Sequence, residues 1–227
     1  MLWGIMNLTT TIKRFGFTLA EVLIVIGIIG IVANMTIPTL IDNVQEQSNI
    51  IVFKRVYSDI NSVIKDIIAE NGTESLAGVI TQDDDTFTIA FKKYLAVDKI
   101  CGAGATNGIC FHSNSGWRHL NKTAIDGTAI EHEVHDSQGV VLTNGVIMKW
   151  CTRSTCTPGS PECMFLFVDV NGFKGPNIVG KDIFAMRASD IALFPLGTKG
   201  DGFENSCNKS DTGYGCSAQA LLNGTLP

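Results

Sequence analysis

Residues 22–41 are twenty consecutive positions without a charge, bounded by Glu21 and Asp42. As a helix rising 1.5 Å per residue, such a run spans about 30 Å, the hydrocarbon thickness of a bilayer. A chain that carries it must either bury it or place it in lipid. Lys13 and Arg14 lie on its N-terminal side. The positive-inside bias keeps that end in the cytoplasm and sends the C-terminal part outward. Glu21 is the one charge between Arg14 and Asp42. A carboxylate deep in a bilayer costs on the order of 3 kcal/mol even on lenient scales, so it marks a functional site by default. Further along, Pro38 removes a backbone donor and crowds the carbonyl of Asn34. With Gly27 and Gly30 it predicts a segment that bends or melts locally.

The motif around Glu21 is more specific than its hydropathy. Lys13 and Arg14 lead to Gly16, then to Phe17-Thr18-Leu19-Ala20-Glu21, then to an apolar run and Pro38. This pattern resembles the cleavage and methylation signal of type IV pilin-like proteins: type IV pilins, type II secretion pseudopilins and competence pseudopilins. An ordinary secretory signal carries its apolar region before the cut and loses it. Here the apolar region follows Gly16 and would be retained.

The resemblance implies cleavage between Gly16 and Phe17 by a prepilin peptidase, which also methylates the new Phe17 amine. It gives Glu21 and Pro38 roles in assembly. Glu21 would pair with the Phe17 amine of a neighbouring subunit, since a buried carboxylate seeks a cation. The implied partners are the peptidase, other pilin or pseudopilin subunits, an inner-membrane assembly platform and membrane lipid. The implied location is the inner membrane, single-pass, with the C-terminal domain outside the cytoplasm, and a pilus or pseudopilus after assembly.

Removing residues 1–16 would leave 211 of the 227 residues and change the formal net charge from −5 to −7, because Lys13 and Arg14 go with the leader. Such an acidic balance does not suit nucleic acid, which is met with clustered Lys and Arg. All seven cysteines fall between residues 101 and 216. Outside the cytoplasm that usage predicts disulfides, with one cysteine over. Cys101 with Cys110, and Cys207 with Cys216, flank short Gly-rich loops and are candidate pairs. Cys151, Cys156 and Cys163 would share one bond, and their spacing is a poor zinc signature.

Four segments follow: a leader at 1–16, a transmembrane or assembly helix at 17–41, an amphipathic continuation at 42–71 and an extracytoplasmic globular domain at 72–227. In the continuation, Phe53, Val56, Tyr57, Ile60, Val63, Ile64, Ile67 and Ile68 recur at helical steps. Asn71-Gly72 supplies the stop. Unbroken from Phe17, the helix would be about 80 Å long. A second helix is expected from Asp84 to Ala96, with Asp83, Asp84 and Asp85 at its N-terminal end. Val140–Trp150 reads as a hairpin around Asn144-Gly145, and Met164–Val170 as a buried strand. Asp182–Arg187 is its candidate partner, and the tail from Gly197 reads as loop. The fold class is α+β: a long N-terminal helix packed on a C-terminal antiparallel sheet, pilin-like.

Asp169 and Asn171 put oxygen-bearing side chains on alternate positions beside a tight turn, with Asp182 returning across the hairpin. Calcium favours clustered oxygens of this kind, although the pattern is not an EF-hand loop, and Asp and Asn beside a tight turn read first as turn formers. Major pseudopilins are similar in carrying a calcium loop in this half of the domain. The Asp-Val-Asn-Gly-x-x-Gly-Pro-Asn stretch resembles hairpins of type II secretion pseudopilins. Glu131–Asp136 lacks metalloprotease spacing and reads as a solvated loop. Trp150 is expected in the core; Trp117 and Phe173 fit core or surface. No catalytic constellation is apparent. The chain therefore reads as a non-enzymatic filament subunit of a type II secretion pseudopilus or a type IV pilus. An adhesive minor pilin is the alternative, and a membrane-tethered enzyme the more distant one.

Overall fold

A computed structural model describes residues 16–80, 85–101, 116–125, 138–152 and 156–227. The chain divides between Asn43 and Val44 into two compact units. Helix α1 (Leu19–Glu70) contributes its first part to one and the remainder to the other. It runs through Pro38 without a break. The interruption expected there is therefore not a gap in the helix, since loss of one backbone donor leaves the flanking ladder to hold the turn.

In the first unit every Val, Ile, Leu, Met and Phe from Phe17 to Ile41 is exposed. An apolar surface on all sides with nothing packed on it is the pattern of a membrane span. Among the described residues α1 is the one helix long and apolar enough to cross a bilayer.

In the second unit the same helix becomes amphipathic. Ile50, Phe53, Val56, Ile60, Val63, Ile64 and Ile67 are buried at three- and four-residue steps. They pack on one face of a six-stranded antiparallel sheet with sequential strand order. Its strands are β1 (Val97–Cys101), β2 (Gln138–Leu142), β3 (Ile147–Thr152), β4 (Met164–Asp169), β5 (Ile183–Ala188) and β6 (Leu193–Pro195). Val140, Met148, Trp150, Leu166, Val168, Phe184 and Met186 meet the helix stripe. Phe53 stacks on Phe184 with ring centroids 4.1 Å apart. Helix α2 (Thr86–Tyr94) adds Phe87 and Phe91, and Phe91 meets Trp150 edge-on at 4.9 Å. Asp85 stands at the start of α2, but its carboxylate accepts from Gln138 Nε2 at 3.1 Å and does not cap the helix.

The opposite face of the sheet is covered as well. Phe165, Phe167, Ile183 and Ala185 lie under Trp117, Val179, Leu196 and Tyr214. Strand β4 is consequently buried on both sides, which explains its continuous apolar run. The tail after Gly197 is not loop throughout: Cys216–Leu222 forms helix α3, held by Ala218 N donating to Leu196 O and Ala185 N donating to Ser217 Oγ, both at 2.9 Å. Trp117 and Trp150 are buried, whereas Phe173 is 49 % exposed.

Both edges of the sheet are irregular. Strand β1 shifts register between Val97 and Lys99 and exposes Asp98, Lys99 and Ile100. Strand β6 is three residues long and ends in Pro195.

Phe53→Ala should lower the unfolding free energy by about 3–5 kcal/mol, the usual range for deleting a fully buried aromatic ring. Ile51→Ala, at a position 66 % exposed, should change it by less than about 0.5 kcal/mol. Denaturant titration of the detergent-solubilised chain, followed by tryptophan fluorescence, measures both.

Candidate functional site

The N-terminal residues are organised by one polar device. Thr18 precedes the first residue of α1, and Glu21 occupies the third helical position. Glu21 N donates to Thr18 Oγ1 at 3.2 Å, and Thr18 N donates to Glu21 Oε2 at 2.8 Å. Thr18 Oγ1 donates to the same carboxylate oxygen at 2.8 Å. This is a capping box, which satisfies otherwise orphaned backbone donors at a helix start. Its signature, Thr-x-x-Glu, stands in the sequence but is overshadowed there by the apolar run. Capping fixes the helix start at Leu19, so Gly16 and Phe17 remain non-helical and exposed. Phe17 thus stands outside the helix that carries Glu21. A Gly16–Phe17 bond outside the helix is accessible backbone of the kind a peptidase must grip. Among the described residues nothing donates to Glu21 Oε1, which leaves one carboxylate oxygen for an incoming donor.

The second constellation lies in the β4–β5 hairpin. Asp169 ends β4, Asp182 immediately precedes β5, and both are 0 % exposed. Between them runs the turn through Asn171, Gly172, the cis Gly175–Pro176 bond and Asn177. Asp182 Oδ2 accepts from Asn177 N at 2.7 Å and from Asn171 Nδ2 at 3.2 Å, and Asp182 Oδ1 accepts from Ile178 N at 2.6 Å. Asp169 Oδ1 accepts from Gly172 N at 2.9 Å and Asn171 N at 3.3 Å. Gly172 has φ +65, and a Cβ there would stand 2.2 Å from Gly145 O, so only glycine lets the tips of the two hairpins meet.

Three buried oxygens in this hairpin have no hydrogen-bond partner among the described residues: Asp169 Oδ2, Asn171 Oδ1 and Asn177 Oδ1. Orphaned buried acceptors are rare and costly. Burial, and then the charge of Asp182, push the Asp169 carboxyl up to about 8. Burial likewise raises Asp182, against the pull of the Ile178, Asn177 and Asn171 donors. Two buried carboxylates in one hairpin need protons or a cation. Among the described residues no three His, Cys, Asp or Glu side chains gather as a metal cluster. The donor set is instead carboxylate and amide oxygen, which fits a hard ion such as calcium and not a transition metal. Asn177 joins the residues legible in the sequence, where it reads as an ordinary turn former. Asn49 of α1 also reaches this loop, its Nδ2 donating to Lys181 O at 3.1 Å.

Cys207 is bonded to Cys216, and Cys156 to Cys163. Cys101 is disulfide-bonded; Cys110 lies outside the described residues, as does Glu131–Asp136. Burial, and then the charge of Glu162, push the Cys151 thiol up to about 11, the opposite of what a nucleophile needs.

Residues 12–33 match the family described as the prokaryotic N-terminal methylation motif, the signal characteristic of type IV pilin and pseudopilin precursors. It indicates a type of structural subunit and implies processing by prepilin peptidase and assembly with other pilin subunits. No curated protein and no solved structure matches the chain.

The hairpin makes a pH prediction. Asp169 titrates near 3.8 when unfolded and near 8 when folded, so the folded state holds the extra proton between those values. In chelator, its contribution to stability is complete below the unfolded value and is lost as pH rises through the folded one. Asp169→Asn should remove that part of the slope. Thermal unfolding from pH 4 to 9 in chelator, wild type against variant, measures it.

Proposed function

We propose that this chain is a pilin-like filament subunit, cut after Gly16, methylated on Phe17 and assembled through α1. The observation that carries the reading is the methylation motif over residues 12–33 on a bare apolar stretch of α1, residues 19–41, whose one carboxylate is Glu21. In the membrane the helix anchors a single-pass precursor in the inner membrane, with its disulfide-bearing domain outside the cytoplasm. On assembly the helices of many copies replace lipid for one another. Glu21 then meets the Phe17 amine of a neighbour, and Thr18 keeps the carboxylate aimed while leaving Oε1 open. A type II secretion pseudopilus is the machine we favour over a type IV pilus, on the strength of the β4–β5 hairpin.

We assign that hairpin a calcium ion, held by Asp169, Asn171 and Asn177, with Asp182 as the second carboxylate. The ion would supply the positive charge that the two buried acids lack. Because Asn49 ties α1 to Lys181, a loaded hairpin would also brace the part of α1 that enters the domain.

Intact mass and N-terminal sequencing, with and without a co-expressed prepilin peptidase, test the first reading. The expected product begins at Phe17 with one added methyl; an uncut chain would sink it. Glu21→Ala should still be cut but should be absent from sheared filaments. Calcium should raise the unfolding temperature of the wild type and leave Asp169→Asn unmoved, with half-saturation at about 10⁻⁴–10⁻³ M, as in extracellular sites.

A further inference from the structure

The disulfide Cys207–Cys216 stands against the half of the hairpin that carries Asp182. Cys216 is fully buried and opens helix α3. Facing it is Gly180, with φ +84; a Cβ there would lie 2.8 Å from Cys216 Sγ and 3.0 Å from Gly213 O. The approach is reciprocal, since a Cβ on Gly213 would lie 2.4 Å from Val179 O. The sulfur therefore lies close against the backbone at Gly180, two residues before Asp182, with no room for a side chain between them.

That backbone is the arm that presents the second carboxylate. Gly180 N donates to Ile183 O at 2.8 Å and Lys181 N to Ile178 O at 3.0 Å, folding residues 178–183 into a compact turn. The turn aims the Asn177 and Ile178 amides at Asp182. On the other arm the ladder of β4 holds Asp169 between Ile147 and Ile183, and Asn171, in the turn beyond it, donates Nδ2 to Gly175 O and Asp182 Oδ2. The two arms meet where Val170 N donates to Asp182 O at 2.9 Å, and Asn49 Nδ2 holds Lys181 O; the disulfide bears on the turn between, at Gly180, which carries Asn177 and the amides aimed at Asp182.

We propose that the Cys207–Cys216 disulfide is the positioning element of this cation site, so that the chain takes up its ion only after that bond has closed. The inference rests on the reading of the hairpin as a calcium site. Closure by thiol–disulfide exchange forms the Cys207–Cys216 bond and passes two electrons to an external protein disulfide, which leaves as a dithiol carrying the two protons the cysteines lose. Calcium loading thereby reports that the domain has reached an oxidising compartment and folded there. Cys156–Cys163, at the Ala188 end of β5 where Cys163 N donates to Ala188 O, has no part in this.

Calcium titration calorimetry on the full detergent-solubilised chain tests the coupling. Cys207→Ser/Cys216→Ser should weaken calcium binding about 10- to 100-fold, the usual cost of losing an outer-shell support. Cys156→Ser/Cys163→Ser should bind as the wild type does. Near-UV circular dichroism in chelator must show native packing in both. If the first pair does not fold, Gly180→Ala carries the test with the disulfide intact, and should weaken binding comparably. Wild-type affinity in the folded Cys207/Cys216 variant, or in Gly180→Ala where that replaces it, overturns the coupling, as does equal loss in the control pair. No calcium binding by the oxidised wild type overturns the cation reading itself, and the coupling with it.

Discussion

The apolar stripe of α1 from Ile50 to Ile67, laid on one face of the sheet, is the contact on which the second unit is built. Its side chains share one core cluster with inward-facing strand residues, and Phe53 stacks on Phe184. What makes the arrangement demanding is that the same helix carries no buried apolar residue before Ile50. Its sequence changes from apolar on all sides to apolar on one side, and the environment must change with it. Burial of a stripe and immersion of a cylinder are both solutions to the hydrophobic effect, and this chain uses them in succession.

Much of this was legible because it is local. Three- and four-residue spacing reveals the buried face of α1, and the unbroken Met164–Val168 run reveals a strand covered on both sides. What covers that second face was hidden. Trp117 and Tyr214 sit in irregular chain far apart in sequence, and no periodicity announces that they converge on Phe167. Strand β6 was missed because three residues ending in proline give no pattern. Helix α3 was missed because Gly-, Asn- and Ser-rich chain precedes its helix-forming Ala-Gln-Ala-Leu-Leu. At the hairpin, Asp169, Asn171 and Asp182 could be read as oxygen donors. Asn177 could not, since its exposure to the cluster depends on how residues 177–182 fold back.

The two polar sites share a logic. At the head of α1, Thr18 and Glu21 satisfy each other's backbone and still leave a carboxylate oxygen unused. In the hairpin, Asp182 is richly bonded while Asp169, Asn171 and Asn177 each keep one oxygen unmatched. In the hairpin these oxygens are buried, where an unsatisfied polar group is costly, whereas Glu21 is exposed. On the proposed readings, a complementary charge arriving at either place would meet oxygens already held in position.

The margins of the sheet bear on how such a chain avoids its own worst failure. Unpaired strand edges recruit strands from other molecules, and crowding in a membrane would multiply the opportunities. Here one margin is kinked and carries Asp98 and Lys99 toward water, and the other is cut short at Pro195. Neither offers a flat template for a ladder between molecules. The domain is in effect insulated along its sides, so copies can be held at high density without sticking through their backbones.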